Sequence, residues 1–108
     1  MVRIAYTGQE PVAGEIIRAA ETAMLKHEGG AGIRKRVDTL VKRYRKQSGD
    51  RIAFIASSAE RERARLTRRM DVLIQRSAPD EWITRIWMEI HALDLTAELL
   101  LKRAQETA

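Results

Sequence analysis

Apolar residues return at helical intervals through four stretches of this chain, and glycine, proline or capping residues separate the stretches. From about residue 11 to 28, Ala13, Ile16, Ile17, Ala20, Ala23 and Met24 share a face, while Glu15 and Glu21 point away. Pro11 suits the first turn of this helix, where its missing N–H costs nothing. Gly29-Gly30-Ala31-Gly32 is expected to stop it, because glycine takes the left-handed conformation of a helix end. A second helix is predicted over about 32–47, with Ile33, Val37, Leu40, Val41 and Tyr44 facing inward. Ser48-Gly49-Asp50 breaks it, and Asp50 is placed to cap the next helix.

The third helix, about 50–76, has two opposed faces. Ile52, Ile55, Ala56, Ala59, Leu66, Met70, Leu73 and Ile74 form an apolar stripe. The opposite stripe holds Arg61, Arg65, Arg68, Arg69 and Arg76, with Glu60, Glu62 and Asp71 on the flanks. Ser77-Ala78-Pro79-Asp80 then separates it from a fourth helix, about 79–105; Ser77 with Asp80 resembles a capping box. Ahead of all four, residues 1–10 read as a short extended arm, in which Val2, Ile4 and Tyr6 alternate with Arg3, Ala5 and Thr7 in the manner of a strand. The expectation is an all-α, four-helix bundle-like fold, one domain over residues 1–108.

The fourth helix carries two apolar stripes. The broad one is Trp82, Ile83, Ile86, Ile90, Leu93, Ala97, Leu100, Leu101 and Ala104; the narrow one, nearly opposite, is Met88, Ala92, Leu95 and Leu99, at coiled-coil spacing. A helix apolar on opposite sides needs two packing partners. Exposure of Met88, Leu95 and Leu99 would forfeit roughly 1.5–3 kcal/mol each. A homodimer through Met88, Ala92, Leu95 and Leu99 meets that need. The other solution is a central fourth helix with the remaining three covering both stripes.

Charge adds the next constraint. The 108 residues carry a formal net charge of +5, which favours an anionic partner. Residues 34–51 hold eight basic and two acidic residues and residues 61–76 six and two, whereas residues 77–108 hold three and six. The middle of the chain is therefore basic and its end acidic. Phosphate contacts are expected from Arg34, Lys35, Lys42, Arg43 and Lys46 on the second helix and Arg61, Arg65, Arg68 and Arg69 on the third. The arginine fork is well suited to phosphate oxygens. The partner expected is nucleic acid, DNA ahead of RNA, read through its backbone; the alternative is an acidic protein docked by an adaptor or inhibitor. The bland reading of the same face is solvated side chains paired locally, for instance Glu62 with Arg65.

Base-specific readout finds less support. A helix-turn-helix over Ser48-Gly49-Asp50 would start its recognition helix with Arg-Ile-Ala-Phe-Ile-Ala-Ser-Ser, poor in groups that reach base edges. A ribbon–helix–helix arrangement would send Arg3, Ala5 and Thr7 into a groove, and Ala5 has no hydrogen-bonding side chain. Catalysis and cofactors have no foothold. There is no cysteine, the glycine cluster lacks a Gly-Lys-Ser/Thr ending, and His27 and His91 do not fall in a Glu-x-x-His metal spacing. No metal, cofactor or enzyme activity is expected. His27 reads as a partly buried imidazole in the last turn of the first helix, and Phe54 and Val72 as apolar residues set within the basic face. No apolar run approaches the roughly 18 residues of a membrane span, so a cytoplasmic protein is expected.

Overall fold

The computed structural model describes residues 11–107, with side chains over 12–102. Its four helices are α1 (Pro11–Leu25), α2 (Gly29–Tyr44), α3 (Gly49–Gln75) and α4 (Asp80–Thr107), and no strand occurs among the described residues. The arm expected over residues 1–10 lies outside them.

Each helix end has a local cause, and several differ from what periodicity and composition predict. α1 ends at Leu25 rather than near residue 28. The His27 N–H donates to the Met24 carbonyl at 3.1 Å and the Glu28 N–H to the Ala23 carbonyl at 2.9 Å, the paired bonds of a Schellman terminus. The left-handed residue there is His27, with φ of 55°. His27 is accordingly exposed beyond the helix and does not form part of its apolar face. The glycine cluster, predicted as a break, forms the first turn of α2 instead. Gly29 has φ of 66°, so the reversal of the chain is shared between His27 and Gly29. α3 starts on Ser48, whose hydroxyl accepts from the Arg51 N–H at 3.2 Å; Asp50 is the acid of the first turn, not the cap. α3 ends in a second Schellman pair, Ser77 N–H to the Ile74 carbonyl at 3.1 Å and Ala78 N–H to the Leu73 carbonyl at 3.0 Å. Ser77 is therefore the left-handed residue, with φ of 53°, and belongs to the end of α3 rather than to a capping box. The Pro79 carbonyl accepts the first bonds of α4, from Trp82 and Ile83.

The apolar periods come together in one core. α1 buries Ala13, Ile16, Ala20 and Ala23, and α2 buries Ile33, Val37, Val41 and Tyr44. α3 supplies Ile55, Ala56, Ala59 and Leu66, and α4 supplies Ile86, Ala92, Leu93, Leu95, Ala97 and Leu100. α4 is the central helix: it packs against all three others and most extensively against α3. α2 and α3 each lie against α1 and α4 but scarcely touch each other. α1 and α2 form a short antiparallel pair, tied where Glu15 accepts from Arg43 Nη2 at 2.7 Å and from the Tyr44 hydroxyl at 2.8 Å. Burial and the Glu15 carboxylate push the Tyr44 phenol well above its ordinary range. An Arg63–Asp94 ion pair ties α3 to α4.

Length explains what the core leaves uncovered. α3 and α4, at 27 and 28 residues, are each about 40 Å long at 1.5 Å per residue, matching the 45 Å long axis of the molecule. α1 and α2, at 15 and 16 residues, reach little more than half as far. Ile74, Trp82 and Leu101, expected inward on their stripes, are consequently exposed, and so are Phe54, Val72 and Trp87.

Candidate functional site

All nine cations predicted to meet phosphate are exposed. Arg34, Lys35 and Lys42 stand on α2 and Lys46 just beyond it; with Arg68 and Arg69 of α3 they make no salt bridge among the described residues. The other three have local partners. Arg43 is held by Glu15, Arg61 Nη2 donates to the Ser58 hydroxyl at 3.2 Å, and Arg65 is clasped by Glu62 through both carboxylate oxygens. The rows of α2 and α3 do not form one packed face, because the two helices lean on α1 and α4 rather than on each other. They approach at the 45–48 connection, where Lys46 is followed by Arg51. The Arg51 guanidinium lies 5.1 Å from the centroid of the half-exposed Phe54 ring, a cation–π arrangement.

Met88, Ala92, Leu95 and Leu99 are covered within the chain. Ala92 and Leu95 are buried, and Met88 and Leu99 pack against the core. The narrow stripe of α4 thus has its second packing partner inside the molecule, the arrangement in which the other three helices cover both sides.

A cleft of ≈ 530 Å³ opens between α1, α3 and α4. Leu66 and Ile86 are its most deeply buried apolar lining, with Ile17 and Leu73 beside them and the half-exposed Trp82 indole at one edge. Arg65 and Arg69 line it from α3, Arg85 and Glu89 from α4, and Glu21 from α1. Arg85 Nη2 donates to Glu21 at 2.7 Å, and its Nε lies 3.6 Å from Glu89. Glu89 is buried. Burial raises its carboxyl to about 7, helped by a hydrogen bond with Glu21 and by that neighbour's negative charge; Arg85 and Arg69 pull the other way. Glu21 sits below the ordinary carboxylate range, because the bonds from Glu89 and Arg85 outweigh its partial desolvation. Within the pair the proton is therefore favoured on Glu89 and the negative charge on Glu21.

The periodicity of α3 places Glu62 on a flank as a local partner of Arg65, and that pair is present, but Glu62 is buried. Glu89, also buried, is passed over, although each leaves a readable sign. Glu62 falls between Ala59 and Leu66, and Glu89 between Ile86 and Leu93, three or four residues from an inward neighbour on either side. An acid in an apolar register is a buried acid, and each of these found an arginine. On the exposed side of α4, the Trp87 and His91 rings stack with centroids 5.8 Å apart. No group of three or more His, Cys, Asp or Glu residues that could hold a metal occurs among the described residues, and no helix there is long and apolar enough to cross a membrane. Comparison with protein-family models, curated proteins and solved structures finds no match to this chain.

Proposed function

We propose that the protein is a non-enzymatic nucleic-acid-associated accessory or regulatory factor that holds the phosphate backbone through the exposed cations of α2 and α3. The observation that carries this reading is the set of six solvent-facing cations that make no salt bridge among the described residues: Arg34, Lys35, Lys42, Lys46, Arg68 and Arg69. A guanidinium or ammonium outside a salt bridge can displace the counterion condensed on a phosphate without first breaking an internal bridge. The set consists of arginine and lysine alone, with no Asn, Gln or carboxylate among them to read adenine or cytosine edges, so contact with the backbone fits better than contact with sequence.

Fluorescence anisotropy with labelled duplex and single strands, across a range of salt concentrations, tests the reading. Binding is expected to weaken with a log–log slope of about −0.9 for each phosphate neutralised on duplex. Charge reversal at Arg34, Lys42, Lys46 and Arg68 together is expected to abolish binding while leaving the helical circular dichroism spectrum intact. No binding even at low salt rejects the proposal.

A second reading has its own support: Val72, Ile74 and Trp87 are exposed apolar side chains on α3 and α4, and α3 also carries the arginines. An adaptor that docks an acidic protein would use both features. Capture of that partner after nuclease treatment distinguishes it from co-retention on nucleic acid.

A further inference from the structure

The cleft between α1, α3 and α4 brings the edge of the core, Leu66 and Ile86, together with arginines and acids from three helices, a combination that backbone contact alone does not require. We propose that it binds a small organic anion with a flat apolar body, an aromatic or alicyclic carboxylate or phosphate ester, whose head meets Arg69 and whose body lies between Trp82 and the Leu66–Ile86 lining. The volume, ≈ 530 Å³, falls in the roughly 300–1,000 Å³ range of small-molecule sites. Walls from three helices favour a compact guest over a second helix.

The choice of chemistry follows from how the polar groups are already engaged. Arg65 is tied to Glu62 and Arg85 to Glu21, whereas Arg69 makes no salt bridge among the described residues. Arg69 is therefore the cation available to an incoming anion, with the spare N–H groups of Arg85 nearby on the opposite helix. A wholly apolar guest would desolvate these guanidinium groups and return nothing to them. A bare inorganic anion would leave Trp82 and Leu73 in water. An anion with an apolar body satisfies both sides.

The acids set the pH response. Glu89 is faced by Glu21 from α1, Arg65 and Arg69 from α3 and Arg85 on its own helix. Its protonated form places no negative charge against the guest, and its ionised form does. Affinity is thus expected to fall as pH rises through about 7, and Glu89→Gln is expected to remove that dependence.

Isothermal titration calorimetry on the full chain with naphthalene carboxylate, naphthyl phosphate and neutral naphthol tests the assignment. Saturable one-to-one binding of one of the two anions is expected, at least about tenfold tighter than naphthol, as a charge-assisted hydrogen bond implies; the better anion identifies the head. Arg69→Glu and Trp82→Ala are each expected to weaken it at least about tenfold. Both side chains are exposed, so the circular dichroism spectrum should not change. Trp82 lies outside the phosphate-contact set, so duplex binding by Trp82→Ala is expected to match the parent protein, which separates this site from the nucleic-acid reading. Absence of one-to-one binding at millimolar probe, equal binding of naphthol, or binding unchanged in both variants overturns the proposal.

Discussion

His27 and Ser77 hold left-handed backbone at the ends of α1 and α3, a conformation that costs an ordinary L-residue roughly 1–2 kcal/mol. Glycine removes that cost but gives back part of it through a looser unfolded chain. His27→Gly and Ser77→Gly are each expected to stabilise the protein by about 0.5–1 kcal/mol in urea denaturation. Gly32 obeys the opposite logic. A Cβ there would stand 2.2 Å from the Glu28 Cβ, because the Glu28 side chain lies across Gly32 to form a bidentate pair with Arg36, 3.0 Å at each contact. That pair holds the Glu28 carboxyl below its usual range. Gly→Ala within a helix ordinarily stabilises by up to about 1 kcal/mol. Gly14→Ala, with open space around it, is expected to obey that rule, whereas Gly32→Ala is expected to destabilise. A shared sign would refute this account of the turn. The glycine cluster was visible in the sequence, but its role was not. Composition marks where a chain bends; which residue takes positive φ depends on the bonds closing around it, here the donors at His27 and Glu28.

Among the elements, α4 bears the fold. Leu93 and Leu100 are fully buried on it, and truncation of either to alanine is expected to cost about 2–5 kcal/mol, a large part of the roughly 5–15 kcal/mol a domain has in total. Leu101→Ala, on the same turn but exposed, is expected to stay within about 0.5 kcal/mol of the parent. Thermal denaturation of the three variants compares them directly. The number and approximate extent of the helices were legible because their periods are long and cleanly punctuated. Their arrangement was not. The two stripes of α4 state only that two partners are needed, and the same pattern serves a helix at a subunit boundary or one in the middle of a bundle. The lengths held a clue: two helices of about 40 Å cannot be covered by two much shorter ones, which leaves apolar residues exposed at the ends of α3 and α4, such as Ile74, Trp82 and Leu101.

For the molecule as a whole, pH couples to stability through the acid pair. Glu89 is raised from 4.5 to about 7 in the fold, so between those values the native state keeps a proton that the unfolded chain has released. Stability therefore falls as pH rises from 4.5 to about 7 and then levels off. Glu21 is shifted downward, and its contribution is lost as pH falls below 4.5. Glu89→Gln is expected to flatten the limb above pH 4.5 and to stabilise the protein at pH 8, about one pH unit above the Glu89 midpoint, in urea titrations at several pH values. Because Ala92 and Leu95 are buried by the chain's own helices, the thermal midpoint is expected to be independent of protein concentration over a hundredfold range; a rise with concentration would show stability drawn from association. The basic character of the candidate phosphate surface was readable residue by residue, but the cleft was not, since Glu21, Arg69 and Arg85 come from three separate helices.

The central position of α4 also bears on biosynthesis. α1, α2 and α3 leave the ribosome before the helix on which all three rest. At roughly 5–20 residues per second, a nascent chain waits a few seconds with their oily faces open to water and to one another. Chaperone capture of this polypeptide should thus be strongest just before α4 emerges and should fade once it has docked.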